Sequence, residues 1–212
     1  MKADTGRAGI VLAGGRSARF ENQDKALASL LGKPLIWHVV EAVAPAVDEV
    51  VVNCRRAQRE AIESALADHV VRFAVDRVPD RGPVAGIRTG LRATKAKYAA
   101  AVPCDMPFLS AGFLDFLFSR ADTKTGTVTR FRDHITPFPA VVHVRAAESV
   151  CTEVVRERDG SLYDLVALLD PVVIPEREAT AHAGRDAFTN VNTHADLRGA
   201  IARANRPNVP NR

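Results

Sequence analysis

The stretch GIVLAGGRSARFENQDKAL, residues 9–27, sets the architecture expected for this chain. It begins with a short, continuous apolar run up to Gly14, which is typical of a strand buried on both faces of a parallel sheet. Gly14 and Gly15 allow a tight turn after the strand and leave backbone amides free to donate to phosphate oxygens. Arg19 and Lys25 add positive charge that suits a triphosphate or a leaving pyrophosphate. The stretch therefore predicts a strand that ends in a phosphate-binding loop.

The spacing within this loop excludes the two commonest phosphate motifs. The P-loop pattern GxxxxGK[ST] needs a lysine directly after its second glycine, whereas Lys25 lies ten residues beyond Gly15. The dinucleotide pattern GxGxxG needs a third glycine, which GGRSAR lacks. Taken alone, the loop is equally compatible with a glycine turn that carries solvated arginines, so other segments have to identify it.

Strand and helix patterns alternate through the first half of the chain. Strands are predicted for GIVLAG (9–14), EVVVN (49–53), VVRFAV (70–75) and YAAAVPCD (98–105). Helices are predicted between them, in KPLIWHVVEAV (33–43), AQREAIESALA (57–67) and PVAGIRTGLRAT (83–94). Pro34 suits a first helical position. Strands separated by helices of this length form βαβ units, so we predict an α/β fold with a mostly parallel sheet.

The second half of the chain is less regular. GTVTRF (126–131) and PFPAVVHV (137–144) are predicted strands, as a hairpin or an addition at a sheet edge, and DLVALL (164–169) is a predicted short helix. Thr193, followed three residues later by Asp196, resembles a capping box that starts a C-terminal helix. No obvious linker divides the chain, so we predict one domain over residues 1–202, with a flexible basic tail at 203–212.

The charge pattern argues against binding of nucleic acid. The chain of 212 residues has a formal net charge of +4. Residues 1–7 contribute +1 and residues 203–212 contribute +3, which leaves residues 8–202 neutral. A protein that binds nucleic acid usually has a basic domain rather than basic ends, so we expect no nucleic-acid partner.

The cysteines and the N-terminal sequence favour a reduced compartment. Cys54, Cys104 and Cys151 are odd in number and widely spaced, and no CxxC occurs, so neither a disulfide framework nor a zinc site is expected. The N-terminus carries no signal-peptide pattern, and no apolar run is long enough to span a membrane. We therefore expect a cytoplasmic protein that does not bind membranes.

Polar or small residues follow each of the four predicted parallel strands. They are Gly14 and Gly15 after the first strand, Asn53 at the end of the second, Asp76 after the third, and Cys104 with Asp105 after the fourth. Right-handed crossovers place all of these strand ends along one edge of the sheet, where open α/β sheets bind their ligands. The pattern predicts a nucleotide-like ligand at that edge, although Asn53 and Asp76 are also typical turn residues.

Several segments together resemble a known family. LAGGxSxRF-x₃-DK is similar to the N-terminal signature of the nucleoside-triphosphate transferase superfamily. The chain then resembles one branch, the molybdenum cofactor guanylyltransferases (MobA-type). The segments that carry this resemblance are VLAGGRSARF…DKAL, LLGKPLIWHVV, EVVVNCR, DRVPDRGPVAGIRTGL, VPCDMPFL and FTNVNT, in order over residues 11–193. The resemblance implies a Rossmann-like three-layer sandwich of the GT-A (nucleotide-diphospho-sugar transferase) type. It also implies transfer of GMP from GTP to molybdopterin that carries molybdenum, with release of pyrophosphate.

The resemblance assigns roles to individual residues. The expected GTP-binding residues are Leu12, Ala13, Gly14, Gly15, Lys25, Asn53, Asp76 and Asp105. Lys25 and Asp105 are also expected to be catalytic, together with Arg19 as a second phosphate clamp. Asp105 matches the magnesium-binding aspartate of the family, and one carboxylate suffices because Mg²⁺ also takes phosphate oxygens and water. Asn190 and Asn192 match an asparagine pair expected on the pterin side, and helix capping is the alternative role for both.

One departure from the family pattern leaves alternatives open. Glu21 stands where family members usually have glycine, beside phosphates that would repel its carboxylate. The alternatives are a related transferase or a nucleotide-binding adaptor without activity. Related transferases include a cytidylyltransferase for the same pterin, a cobinamide-phosphate guanylyltransferase and a sugar-phosphate transferase. GTP and molybdopterin are the expected substrates, and proteins that deliver the molybdenum cofactor are possible partners.

Overall fold

The strands of the protein lie in one large sheet and one small hairpin. The computed structural model describes residues 6–15, 20, 24–78, 80–156 and 160–205. The strands are β1 (Arg7–Leu12), β2 (Ser29–Leu30), β3 (Lys33–Pro34), β4 (Glu49–Cys54), β5 (Arg72–Val75), β6 (Tyr98–Pro103), β7 (Gly126–Phe131), β8 (His134–His143) and β9 (Val172–Ile174). Strands β2 and β3 pair with each other, and the other seven form the central sheet.

The central sheet has the strand order β5-β4-β1-β6-β8-β7-β9. Strand β1 pairs in parallel with both β4 and β6, and β4 pairs in parallel with β5. Strand β8 runs opposite to its two neighbours, β6 and β7, while β9 runs parallel to β7. The sheet is therefore mostly parallel, as predicted, and the carboxyl ends of β5, β4, β1 and β6 lie side by side at one edge.

Helices cover both faces of the sheet. They are α1 (Leu35–Val43), α2 (Arg59–Ala65), α3 (Gly82–Arg92), α4 (Ala111–Ala121), α5 (Val144–Arg156), α6 (Leu162–Leu169), α7 (Glu176–Ala183) and α8 (His194–Ala204). One apolar cluster joins the sheet to α1, α2, α4 and α7, and a second joins it to α3, α5 and α6. This arrangement is the three-layer α/β sandwich that the sequence predicted. Within the described residues, no helix is both long and apolar enough to cross a bilayer.

The two apolar clusters arise from the period-two alternation of side chains along each strand. In β6, Ala99 and Ala101 belong to the cluster under α3, whereas Ala100 and Val102 belong to the cluster under α1. These residues are at most 1% exposed, so the strand is buried on both faces. A continuous apolar run is what such a strand requires, because neither face meets water.

A third, smaller apolar cluster joins the C-terminal helix to Phe20. Phe20 belongs to the glycine-rich loop, the segment 13–24 that follows β1 and contains Gly14 and Gly15. Phe20 and Leu30 pack there against Val191 and Ala200. Helix α8 begins as predicted, because the Thr193 side chain caps it by accepting from the Asp196 amide at 3.1 Å. The helix continues to Ala204, past the predicted start of the tail at residue 203, and residues 206–212 lie outside the described residues.

Two local predictions need correction. Pro34 is not a first helical residue but the cap that precedes α1, with an extended backbone at φ −61° and ψ 149°. The helix predicted over 57–67 begins only at Arg59, after a 3-10 turn over Arg56–Gln58. Ala57 and Ala61 are therefore exposed and Gln58 is buried, while Ile62 and Leu66 face the core.

Candidate active site

A cavity of about 460 Å³ opens at the carboxyl edge of the parallel strands. All eight residues predicted to bind the nucleotide line it: Leu12, Ala13, Gly14, Gly15, Lys25, Asn53, Asp76 and Asp105. Parallel pairing explains why seven of them meet, since they follow or end the strands β1, β4, β5 and β6. The eighth, Lys25, is the first residue of the 3-10 turn Lys25–Leu27. The cavity therefore lies where the sequence predicted the site, while the role of each residue stays a prediction.

Lys25 and Asp105 form an ion pair at the β6 side of the cavity. The Lys25 ammonium lies 2.6 Å from Oδ2 of Asp105, and the two side chains are 22% and 10% exposed. The same ammonium donates to Oδ1 of Asn192 at 3.0 Å. The backbone carbonyl of Asp105 accepts from the amide of Val191 at 2.9 Å, so the segment before α8 is fixed to both partners of the pair. This geometry places one cation and one anion side by side at the wall of the cavity.

The second carboxylate oxygen of Asp105 is available for a cation. Oδ1 is buried and accepts no hydrogen bond from any described residue. A buried charged oxygen without a donor is costly, and a divalent cation would satisfy it. The described residues contain no cluster of three or more His, Cys, Asp or Glu side chains that could hold a metal by themselves. Asp105 therefore fits an ion that takes its remaining ligands from phosphate oxygens and water, as Mg²⁺ usually does.

Asn53 is held in one orientation at the other side of the cavity. Its Nδ2 donates to the carbonyl of Ala74 at 3.1 Å and to Oδ1 of Asp76 at 2.9 Å. Both of these partners accept hydrogen bonds, so the nitrogen must face them and the Asn53 oxygen must face away. That oxygen lies beside Gly14 and Gly86, where an added Cβ would approach it to 3.3 Å and 2.5 Å. The site thus presents an amide oxygen, framed by two glycines, as an acceptor for a ligand N–H or O–H.

Residues 9–175 match the family described as the MobA-like NTP transferase domain. The chain belongs to this family. It is 50% identical over 200 residues to a probable molybdenum cofactor guanylyltransferase of Haloferax mediterranei, and the match covers 94% of this chain and 95% of the relative.

Solved structures of other proteins share the fold of this MobA-like NTP transferase. The crystal structure of molybdopterin-guanine dinucleotide biosynthesis protein A from Archaeoglobus fulgidus superimposes with a TM-score of 0.78 at 23% identity, covering 93% of this chain and 98% of that chain. A Mycobacterium tuberculosis protein solved in complex with manganese superimposes with a TM-score of 0.68 at 19% identity, covering 93% and 99% of the two chains. At these identities the likeness establishes the fold, and the Rossmann-like expectation is confirmed.

The two asparagines predicted on the pterin side of this MobA-like transferase lie in different environments. Oδ1 of Asn192 accepts a hydrogen bond from the Lys25 ammonium at 3.0 Å, and its place on the pterin side stays a prediction. Both asparagines are exposed, and neither lines the cavity. Arg19 and Glu21, predicted as a phosphate clamp and as an unusual residue of the loop, lie outside the described residues.

Further cavity residues come mainly from the start of α3, within the segment DRVPDRGPVAGIRTGL that carries part of the family resemblance. Gly82, with φ +78°, and Gly86 line the cavity there, since glycine lets the helix start close to β4. Asp24, which belongs to the DK pair of the N-terminal signature, and Phe138, which the sequence did not single out, also line it. Phe138 lies on β8, whose place beside β6 could not be deduced from local patterns, whereas Asp24 had one local signal, its position directly before Lys25.

The three cysteines are buried, and no two of them are bridged. Burial raises the pKa of Cys104 from 9.0 to about 12, and the neighbouring Asp105 carboxylate adds to the effect. Burial likewise raises the pKa of Cys54 to about 11 and that of Cys151 to about 12. A thiol that keeps its proton at neutral pH is a poor nucleophile and a poor metal ligand, so Cys104 packs beside Asp105 without taking part in chemistry.

Proposed function

We propose that this MobA-like NTP transferase transfers GMP from GTP to molybdopterin that carries molybdenum, giving the guanine dinucleotide cofactor and pyrophosphate. The observation that carries the proposal is the 50% identity to a probable molybdenum cofactor guanylyltransferase over 94% of the chain. The Lys25–Asp105 pair inside the cavity supports it, because it supplies the charges that such a reaction needs.

In the proposed reaction, a terminal phosphate oxygen of the pterin attacks the α-phosphorus of GTP. The new P–O bond forms on one side while the bond to the β-phosphate oxygen breaks on the other, and pyrophosphate leaves. Little covalent help from the protein is needed, so positioning and neutralisation of charge dominate. Gly14 and Gly15 let the backbone approach the triphosphate closely, and the ammonium of Lys25 offsets charge on the phosphate oxygens.

We propose Mg²⁺ as the metal of this reaction, with Asp105 as its protein ligand. The support is the buried Oδ1 of Asp105, which has no donor among the described residues. The fold neighbour that was solved with manganese is consistent with a divalent ion at this kind of site. When bound, the ion would neutralise phosphate charge. Lys25 would then exchange part of its contact with Asp105 for a contact with phosphate, since both partners are anions within reach of one ammonium.

The location of bound GTP follows from the two ends of the cavity. Asn53 and Asp76 lie over β4 and β5, and Lys25 and Asp105 lie near β1 and β6. We place the nucleoside at the first pair and the phosphates at the second. The acceptor would then approach from the β8 side, where Phe138 lines the cavity. Delivery proteins and a cytoplasmic location stay predictions from the sequence.

The direct test incubates the protein with GTP, Mg²⁺ and molybdopterin and identifies the pterin product by its mass. We expect a mass gain of one GMP unit, and parallel reactions with CTP, ATP and UTP to be much slower. Preference for CTP would replace the proposal with the cytidylyltransferase alternative. Absence of product with any nucleotide, in a protein that still binds GTP, would favour the inactive adaptor.

The matched pair of variants for this test is Asp105→Asn and Asp115→Asn. Asp115 carries the same carboxyl group but lies on the surface of α4, where it pairs with Arg7 at 2.8 Å. We expect Asp105→Asn to lower Mg²⁺-dependent pyrophosphate release by about a hundredfold or more, while Asp115→Asn leaves it unchanged. Normal release from Asp105→Asn would remove Asp105 from the metal site.

A further inference from the structure

Gln58 makes four hydrogen bonds with one buried side-chain amide. The residue is 5% exposed and follows β4 in the 3-10 turn Arg56–Gln58. Its Nε2 donates to the carbonyl of Ala13 at 3.0 Å and to Oδ2 of Asp24 at 2.5 Å. Its Oε1 accepts from the backbone amide and from Nε of Arg55, each at 3.0 Å. Both N–H groups and both oxygen lone pairs are therefore in use.

The orientation of this amide follows from its partners. The carbonyl of Ala13 only accepts hydrogen bonds, and the two Arg55 groups only donate them. The nitrogen of Gln58 must therefore face Ala13 and Asp24, and its oxygen must face Arg55. A buried amide with every group paired is held in place by several bonds at once, which makes it a rigid connector.

The two acceptors of Gln58 lie on opposite sides of the glycine-rich loop. Ala13 precedes Gly14 and Gly15, and its own amide donates to the carbonyl of Asn53 at 2.8 Å. Asp24 directly precedes Lys25, and its Oδ1 accepts from the amide of Ala26 at 3.1 Å. Gln58 thus connects the segment that enters the loop to the segment that leaves it and carries the lysine.

Gln58 also controls a negative charge at the cavity. Asp24 lines the same cavity as Lys25, and a free carboxylate there would repel phosphate. One of its oxygens is bound by Gln58 and the other by the amide of Ala26. Donors on both oxygens hold the carboxylate in one position and disperse its charge.

We propose that Gln58 is a positioning residue for nucleotide transfer, which fixes the two sides of the glycine-rich loop to each other and so sets the place of Lys25 at the phosphates. The inference rests on the proposed function for its kinetic consequences, and on the hydrogen bonds alone for its structural ones. Gln58 does not line the cavity and is not a catalytic residue.

The variant Gln58→Glu tests the proposal because it keeps the shape and replaces the two N–H donors by a carboxylate. At about pH 8 two carboxylates would face each other and the carbonyl of Ala13 would lose its donor, so we expect KM for GTP to rise about tenfold or more. Protonation of the introduced carboxyl restores one donor. We therefore expect the defect to shrink at about pH 6, relative to the wild-type protein at the same pH.

The matched control is Thr94→Val at the opposite edge of the sheet. Thr94 is a buried polar residue too, 9% exposed, and donates to Glu49, the first residue of β4. Its loss should lower stability without changing KM for GTP or its pH dependence. If Gln58 had a purely structural role, Gln58→Glu would also lower stability and leave KM for GTP unchanged. A KM for GTP in Gln58→Glu that stays near the wild-type value at both pH values would therefore overturn the proposal.

A double variant tests the contact with Asp24 directly. In Asp24→Asn combined with Gln58→Glu, the new amide can donate to the new carboxylate, so the bond returns with its polarity reversed. We expect KM for GTP at about pH 8 to recover part of the loss seen in Gln58→Glu, and its dependence on pH between about 6 and 8 to disappear. No recovery, with the pH dependence retained, would contradict a direct Gln58–Asp24 contact.

Hydrogen exchange separates this proposal from the proposed function. The amides of Ala26 and Leu27 donate to Asp24, so they should exchange about tenfold faster in Gln58→Glu without nucleotide, and not in Thr94→Val. This measurement needs no activity. If the wild-type protein neither binds nor converts GTP, the proposed function fails, but the exchange rates still show whether Gln58 fixes Asp24. Unchanged exchange in Gln58→Glu would overturn the positioning role.

Discussion

The ammonium of Lys25 lies 2.6 Å from Oδ2 of Asp105, although the two residues are 80 positions apart in the sequence. Each is the other's counter-ion while no phosphate is bound. A ligand that carries phosphate and a divalent cation offers both residues a new partner of opposite charge. While no ligand is bound, each charge therefore offsets part of the desolvation cost of the other, so both stay in the cavity.

Replacement of Lys25 by methionine should lower activity by removing the positive charge that we expect at the phosphates. Lys25→Met keeps much of the side-chain length and removes the charge, so we expect kcat/KM for GTP to fall by about a hundredfold or more. Lys33→Met is the control, because Lys33 is an exposed lysine that lies 3.9 Å from Asp68. Steady-state pyrophosphate release measures both variants, and equal activity of Lys25→Met and the wild type would show that Lys25 does not contact the phosphates.

Addition of one methyl group at Gly86 should weaken nucleotide binding. The Cβ of Gly86→Ala would lie 2.5 Å from Oδ1 of Asn53, so the amide must move from its fixed position. We expect KM for GTP to rise about tenfold. Gly112→Ala on α4 has no atom within 4 Å of its Cβ and should leave KM unchanged. Titration calorimetry with GTP gives the same comparison without turnover, and equal affinities of the two variants would exclude Asn53 from the binding site.

A methyl group one turn further along α3 should act on stability instead. The Cβ of Gly90→Ala would lie 2.4 Å from Cγ2 of Ile10, which is fully buried in β1. Overpacking of this kind costs about 1–3 kcal/mol, so the free energy of unfolding in urea should fall by that amount. Because Gly90 does not line the cavity, KM for GTP should stay at the wild-type value in the folded protein. A gain in stability would mean that the helix shifts away from β1 without penalty.

The buried cysteines predict a specific response to alkaline pH. Cys151 has a pKa of about 12 in the folded protein because it is buried, against an ordinary value of 9.0. Above about pH 9 the unfolded chain releases this proton while the folded chain keeps it, so the contribution to stability is present below that pH and is lost as pH rises. Urea midpoints of the wild type and Cys151→Ala should therefore converge between about pH 9 and about pH 11. Parallel midpoints over that range would show that the thiol ionises in the folded protein.

The residues at the strand ends could be predicted to lie together because each is marked by the apolar run directly before it. Gly14, Asn53, Asp76 and Asp105 each follow an apolar run, and the parallel βαβ rule places such residues at one edge. The rule needs no knowledge of distant contacts. For the same reason the positions of α1 and α3 were predicted from periodicity, with errors of only a residue or two at their starts.

The sequence did not predict the helices α4, α5 and α7, and other missed parts depend on contacts between distant segments. The short strand β9 at the sheet edge and the place of the β7–β8 hairpin between β6 and β9 are set by tertiary pairing, which no local pattern encodes. Gln58 was assigned to no face because a 3-10 turn delays the start of α2 and changes which residues face inward. Two hydrogen-bond partners of Gln58, Ala13 and Asp24, lie far from it in the sequence, so the residues around Gln58 gave no sign that it is buried.

The link between Lys25 and Asn192 has a practical consequence for the limits of the working unit. The match to the MobA-like NTP transferase domain covers residues 9–175, yet the lysine of the N-terminal loop also contacts a residue beyond that point. A protein cut after residue 175 would retain the whole matched region and still lose Val191, Asn192 and the helix that packs beside the loop. Fusions and domain transplants should therefore carry the chain through α8, because we expect the smallest active piece to be longer than residues 9–175.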